Sequence, residues 1–362
     1  MNAWEKRKLG DLSTIRRGAS PRPISSPKWF SGTSSVGWLR ISDVTEQNGR
    51  VYSVAQHLSE KGQKKTLVLT KRHLILSIAA TVGKPVQNYT ALGIHDGFIV
   101  FMNPKFDLDF MFYFLEKYQP QWMRFGQPGS QVNLNSELVR NLEIRLPRRD
   151  EQEQVSKILL KLDNLIAATQ GKLDQLQMVK KALLQHLFDQ SMRFKGYSDP
   201  WEKRYLKDVI YVNSGRDYKH LSPGMIPVYG TGGYMLSVNE ALSYEDAIGI
   251  GRKGTIDKPY LLKAPFWTVD TLFYLTVQDN MDISFVFPLL QTIRWKQLDE
   301  STGVPSLSKK TIESVMVHVP KKEEQKNLGN LFLFVDNLIA ATQSKLSSLE
   351  SLKKALLQGL FI

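Results

Sequence analysis

The passage DNLIAATQGKLDQLQMVKKALLQHLF, residues 163–188, returns 173 positions later as DNLIAATQSKLSSLESLKKALLQGLF, with 19 of 26 positions identical. Two unrelated helices that share only a heptad pattern do not agree to this degree. A segment was duplicated, and an internal repeat fixes the layout of a chain before local detail does. The copy extends further. WEKRKLGDL begins at Trp4 and WEKRYLKDV at Trp201, an offset of 197 that Gly18 and Gly215 keep. Downstream, GSQVNLNSELVRNLEIRLPRRDEQEQ from Gly129 matches TGVPSLSKKTIESVMVHVPKKEEQKN from Thr302 at an offset of 173. The drop in offset means the first half carries about 24 extra residues in its variable part. Each half therefore has a shared opening, a divergent middle, a shared exit and a helix.

The repeated helices carry a coiled-coil seam. Apolar or heptad-compatible residues fall at Leu162, Ile166, Thr169, Leu173, Leu176, Leu183 and Leu187, and again at Val335, Ile339, Thr342, Leu346, Leu349, Leu356 and Leu360. Spacings alternate between four and three, and Lys180 and Lys353 interrupt the two copies at the same place. A Lys inside a seam fixes register and partner. Asp150, Glu151, Glu153, Glu323 and Glu324 near the starts suit helix N-termini. A seam of this kind commonly packs a helix on its own domain. Here each runs about seven turns and is almost invariant beside dissimilar neighbours, so the economical partners are the other helix and something external that reads the same surface twice.

The divergent middles read as mixed α/β domains. Strands are expected at 65–70, 73–79, 97–102 and 141–147, and at 226–230, 246–251, 271–277 and 313–320, with helices near 107–118 and 281–293. The fold class is thus α+β: two mixed α/β domains separated by two long coiled-coil helices, with a pseudo-two-fold internal repeat. The divisions are 1–149, 150–190, 191–322 and 323–362. Charge bears on the partner. Lys and Arg exceed Asp and Glu by 13, which suits a polyanion such as nucleic acid better than an acidic substrate. There is no cysteine, and the start lacks a signal peptide's apolar core. A cytoplasmic protein without membrane segments is expected.

With these features in order, the chain resembles the specificity subunit of type I restriction-modification enzymes. The resemblance covers essentially the whole chain. It rests on GWLRISDV (37–44), IPVYGTGGYM (226–235), the exits LPRRDEQEQ and VPKKEEQKN, and the twinned helices. It implies that each middle is a target-recognition domain reading one half of an interrupted, asymmetric double-stranded DNA site. It implies that the helices pair antiparallel as a spacer on which two methylase subunits dock, while restriction subunits cleave. No cofactor is expected on this chain. S-adenosylmethionine on the methylase subunits, and ATP and Mg²⁺ on the restriction subunits, are implied for the complex. Many members carry helical sequence before the first recognition domain, whereas here Trp4 stands near the start, so the spacer is expected from these two helices alone.

Base readout uses Arg, Lys, Asn, Gln and Ser on exposed loops. In the first domain the candidates are Arg16, Arg17, Arg22, Lys28, Arg40, Lys84, Arg124, Gln127, Ser130, Gln131 and Asn133. In the second they are Ser214, Arg216, Lys219, Tyr229, Thr231, Arg252, Lys253, Lys258, Ser306, Lys309 and Lys310. A merely solvated side chain is the competing reading for each. The GSQVN and TGVPS loops stand out, because their flanks match while their readout residues differ. Gly-rich TVGKP (81–85) and YGTGG (229–233) lack Gly-Lys-Ser/Thr and read as tight turns near nucleic acid.

Catalytic motifs are weak. MNPKF (102–106) has Lys105 where an adenine methylase needs its second Pro, and no glycine-rich cofactor loop accompanies it. Asp208, Asp217 and Lys219 imitate a nuclease site, but around the equivalent of the second acid the first half has Arg17, Gly18 and Ala19. The six His residues have no metal-ligand spacing. The reading is a non-catalytic DNA-recognition subunit. A coiled-coil scaffold presenting two peptide- or RNA-binding modules is the alternative, and a nuclease ranks third.

Overall fold

The structure is a computed structural model that describes residues 4–79, 81–122, 124 and 134–361. The chain divides into two compact units, Met1–Ala168 with Leu346–Ile362 and Thr169–Lys345. Each long helix contributes one stretch to each unit.

In the first unit the order is β1 (Glu5–Lys8), α1 (Leu9–Leu12), β2 (Thr14–Arg17), β3 (Gly37–Trp38), α2 (Ile41–Glu46), β4 (Arg50–Val51), α3 (Glu60–Gln63), β5 (Leu67–Leu69), β6 (Leu74–Ser77), β7 (Pro85–Asn88), β8 (Leu92–Ile94), β9 (Phe98–Met102), α4 (Leu108–Trp122), α5 (Ser136–Asn141), β10 (Glu143–Leu146) and the start of α6 (Arg149–Phe188). Strands pair as β2-β9-β6-β7-β4, β3-β8-β5 and β1-β10. The second unit follows with β11 (Glu202–Tyr205), β12 (Ile210–Ser214), β13 (Pro223–Gly230), β14 (Gly233–Val238), β15 (Ala247–Gly251), β16 (Tyr260–Leu262), β17 (Trp267–Thr268), β18 (Leu272–Val277), α7 (Ile283–Thr292), α8 (Lys309–Ser314), β19 (Met316–Val319) and α9 (Lys322–Leu360). Its sheets are β12-β18-β15-β16, β14-β13-β17 and β11-β19.

Seven of the eight segments read as strands contain one, and 226–230 lies within the longer β13, which begins at Pro223. The short polar strands β4 and β7 and the two-residue strands gave no periodic signal. Helix α4 runs past the expected end at 118 through Pro120 to Trp122, because Trp122 is fully buried in the core and holds the last turn. Gly83 (φ +79°) and Gly233 (φ +106°) make the turns between β6 and β7 and between β13 and β14.

The shared openings and exits form one clamp, built twice. Trp4 Nε1 donates to Glu151 at 3.0 Å, and Trp201 Nε1 donates to Glu324 at 3.2 Å. Gln152 donates to the Pro147 carbonyl and accepts from the Asp107 amide, both at 2.8 Å. Gln325 does the same with Pro320 and Asp282, at 2.9 and 3.0 Å. Each glutamine ties a helix start to the head of its unit's core helix, α4 or α7. Both glutamines are buried, so leaving their amides unpaired would be costly. The helix ends dock in matching fashion. Phe361 packs on Phe110 (centroids 5.1 Å apart), inside the core that holds Leu9, Leu76, Phe101 and Trp122. Phe188 packs on Phe285 (5.6 Å) among Leu206, Ile248, Leu275 and Phe332.

The helices run antiparallel in both units, the start of one beside the end of the other. Of the seam residues, Leu162, Leu173, Leu187, Val335 and Leu346 are buried, and Ile166, Leu176, Leu183, Ile339, Leu349, Leu356 and Leu360 are half-buried. The interrupting lysines form crossed ion pairs. Lys353 reaches Asp163 at 2.8 Å, and Lys180 reaches Asp336 at 2.7 Å.

Beyond that pair the two units differ. In the first, Lys353 also meets Glu116 at 2.9 Å, and Tyr113 donates to Asp163 at 2.7 Å. Arg50 donates to Tyr113, Asp109 and Gln87 at 2.9–3.0 Å. Burial penalises the Arg50 charge, yet Tyr113, Asp109 and Tyr89 hold its pKa above the ordinary arginine value. The Tyr113 hydroxyl is pushed up, first by burial and then by Asp163. In the second unit Lys180 faces the apolar ring of Phe287 instead.

Candidate nucleic-acid interface

Strands β2 and β12 occupy equivalent places, and the glycine that follows each fixes the next few residues against the sheet. A Cβ on Gly18 would lie 2.1 Å from the His95 carbonyl oxygen, and one on Gly215 would lie 2.0 Å from that of Val269. Only glycine allows these approaches. Ala19 then donates to Ile94, and Arg216 donates to Thr268. The side chains before and after the glycine are carried on the same track in both units.

In the second unit this track borders an open cleft lined by Ser214, Arg252, Lys253, Phe273, Ser306 and Lys309, with Glu300, Leu307 and Ser308. Five of the residues chosen from sequence meet here: Ser214, Arg252, Lys253, Ser306 and Lys309. The TGVPS loop is laced to the end of β15 by Gly254 N–H donating to Pro305 (2.8 Å) and Leu307 N–H donating to Arg252 (3.0 Å). Asp299 accepts from the amides of Ser306 (2.9 Å) and Ser301 (3.0 Å) and from the Ser301 hydroxyl. Those donors hold its carboxyl below the usual aspartate range. Arg216, Lys219, Lys258 and Lys310 are exposed outside the cleft lining, and Thr231 is half-buried in a turn. Tyr229 is half-buried against Tyr234 and Tyr260 and belongs to the packing of β13.

In the first unit Arg16 and Arg17 are exposed at the end of β2. Arg17 Nε donates to the Asp96 carbonyl at 2.7 Å, and Arg22 Nη2 donates to the Asp96 carboxylate at 2.8 Å. Ser20 donates to the other carboxylate oxygen at 2.8 Å and accepts from the Asp96 amide at 3.2 Å. Partial burial works against the Asp96 charge, but Ser20, His95 and the two arginines hold its carboxyl below the ordinary value. Burial pulls neighbouring His95 down, and its Nδ1 accepts from the Gly97 amide at 2.8 Å. The other candidates lie apart from this cluster. Arg40 turns back on Asp43 beside a largely apolar groove lined by Ile24, Trp38 and Phe98. Lys28 covers the Trp29 ring at 4.4 Å, Lys84 is half-buried in the β6–β7 turn, and Arg124 is exposed. Gln127, Ser130, Gln131 and Asn133, and with them the GSQVN loop, lie outside the described residues.

Asp208 ends a 3₁₀ turn, while Asp217 accepts from the Lys219 amide at 3.4 Å within its own turn. Among the described residues no group of three or more His, Asp or Glu could hold a metal ion. No helix of the described residues is long and apolar enough to cross a membrane. Asp96 and Asp299 escaped the sequence reading, which looked for cations and amides. Trp4 and Gln152 were visible as repeated letters without a role, and Glu151 only as an acid suited to a helix N-terminus.

A family model of the type I restriction modification DNA specificity domain matches residues 1–178 and 198–351. The specificity subunit of the Escherichia coli type I restriction enzyme EcoprrI is 21% identical over 346 residues, covering 88% of this chain and 84% of that one. The MjaVIII specificity subunit of Methanocaldococcus jannaschii is 23% identical over 295 residues, covering 68% of each. The crystal structure of the type I restriction-modification S subunit from M. genitalium superposes with a TM-score of 0.71 at 18% identity, over 100% of this chain and 97% of that one. The chain belongs to the type I restriction-modification DNA specificity family and is a non-catalytic specificity subunit.

Proposed function

We propose that each half of this chain reads one half of an interrupted, asymmetric DNA site. The recognition domains are 1–149 and 191–322, and the helices 150–190 and 323–362 set the gap. One observation carries the reading: the residues that seat each domain on its helix are repeated, while those on the track beside the cleft are not. Trp4 and Trp201, Glu151 and Glu324, and Gln152 and Gln325 are the same. At the offset of 197, Arg17 stands against Ser214, Ala19 against Arg216 and Arg22 against Lys219. A constant seat serves a constant assembly, and a varied track serves two different base sequences.

Two methylase subunits are the partners that fit the helices. Val179 and Leu352 occupy equivalent places and are 50% and 49% exposed, which offers the same apolar contact twice. S-adenosylmethionine belongs to those subunits, and ATP and Mg²⁺ belong to the restriction subunits. The test is single-molecule sequencing of methylated DNA from a host carrying the chain with its methylase. A bipartite asymmetric motif is expected, and a continuous or symmetric motif refutes the reading. Inserting one heptad after Leu173 and another after Leu346 adds roughly 10 Å of helix. Sites that remain methylated should keep their half-sites with a gap wider by about three base pairs. Changed bases at the old gap would mean that the helices read DNA.

A further inference from the structure

We propose that Asp96 sets the base preference of the first domain by holding Arg22 so that the free edge of its guanidinium reads guanine. This rests on the DNA-reading function proposed above. Arg22 is 76% exposed at its side chain and would otherwise sample many rotamers, all lost on contact. The Asp96 carboxylate fixes one Nη and leaves the other nitrogens free to donate, the fork that matches guanine O6 and N7.

Asp96 is itself immobilised. The Ser20 hydroxyl bonds one carboxylate oxygen while accepting from the Asp96 amide, so only the second oxygen is turned to Arg22. The carbonyl of the same residue holds Arg17. One residue thus orients two cations on the segment that Gly18 pins to the sheet.

The charge balance separates base reading from backbone contact. A carboxylate between two arginines weakens their pull on phosphate and repels it directly. It leaves the direction of the hydrogen-bond donors intact. That trade suits a base edge, where geometry discriminates, and works against phosphate binding, where point charge is enough.

The experiment compares wild type with Arg22→Ala, Arg22→Lys, Asp96→Asn and Asp96→Ala, each as the full chain with its methylase, by sequencing methylated genomic DNA. All four variants should relax the same G·C position in one half-site, losing about tenfold or more of its preference. The other half-site should stay unchanged and serves as the internal control for folding. Arg22→Lys is exposed and keeps the charge, so full preference in that variant means a phosphate contact and overturns the proposal. Unchanged preference in Asp96→Asn, or equal loss at both half-sites in the Asp96 variants, overturns it too. A wild-type motif without two half-sites would instead remove the functional reading beneath it.

Discussion

Lys353 and Lys180 hold equivalent places in the repeat but should not be worth the same. Replacing Lys353 by Met leaves Glu116 without its cation, while Asp163 keeps only the Tyr113 hydroxyl and a distant Arg50 at 3.9 Å. Glu116 Oε2 already lacks a hydrogen-bond partner. Removing one member of a buried ion pair costs about 3–5 kcal/mol. The Asp163 and Glu116 side chains keep 24% and 33% exposure, which lowers the expectation to about 2–3 kcal/mol. Lys180→Met strands one carboxylate, Asp336, at 33% exposure, beside the apolar Phe287, and should cost about 1 kcal/mol. Hydrogen exchange with mass spectrometry reads the two sites separately. Protection over 346–360 should fall about 30- to 140-fold in Lys353→Met, against about fivefold over 322–345 in Lys180→Met. Adding Glu116→Gln to Lys353→Met should return about 1 kcal/mol, since one stranded charge is gone. Equal loosening in the two single variants, or no local loosening at 346–360, would refute the difference drawn between the two ends.

Gly18→Ala and Gly215→Ala should each destabilise their domain by about 2–3 kcal/mol in urea unfolding, because the new methyl meets a backbone oxygen; a neutral result removes the close approach as the reason for the repeat. Burial opposes ionisation of Asp109, but Arg50 and Arg72 hold its carboxyl below the ordinary 3.8. Its contribution to stability is therefore present above about pH 4 and lost as pH falls through the folded value. Asp109→Asn should lower stability at pH 7 and flatten the acid limb followed by circular dichroism. Residues 1–190 alone should dimerise, the Asp163 of one copy meeting the Lys180 of the other, and should recognise a symmetric interrupted site with the methylase; a monomer at micromolar concentration in ultracentrifugation contradicts this. The purified chain should neither methylate nor cleave DNA with S-adenosylmethionine and Mg²⁺, and turnover abolished by Asp217→Ala would overturn its non-catalytic role.

What the letters revealed was whatever the duplication had copied or the apolar period had marked. The helices and the long strands were legible because they repeat or alternate, whereas the antiparallel sense of the helices came from the family resemblance. Lys180 and Lys353 stood out as breaks in the seam, but their partners did not. Asp163 and Asp336 look like ordinary solvated acids until the helices are laid against each other. The lining of the second cleft was readable as residue types on loops. Asp96 was not, because it acts by holding a neighbour 74 positions away, and sequence gives no sign of that distance closing. The packing of Tyr229 on Tyr260 was hidden for the related reason that it is a contact between strands.

The doubled clamp also bears on inheritance. The two helix copies are alike enough over residues 163–188 and 336–361 to be aligned with each other. An in-frame crossover between them removes 173 residues and leaves one domain followed by one complete helix, with Trp4, Glu151, Gln152 and the terminal Phe all present. A crossover with a related gene replaces a domain and inherits the same seat. New specificity can then arise by exchange at the level of the genome, with no new packing to be found, and the loss of half the gene leaves a chain that still carries both sides of the helix pair.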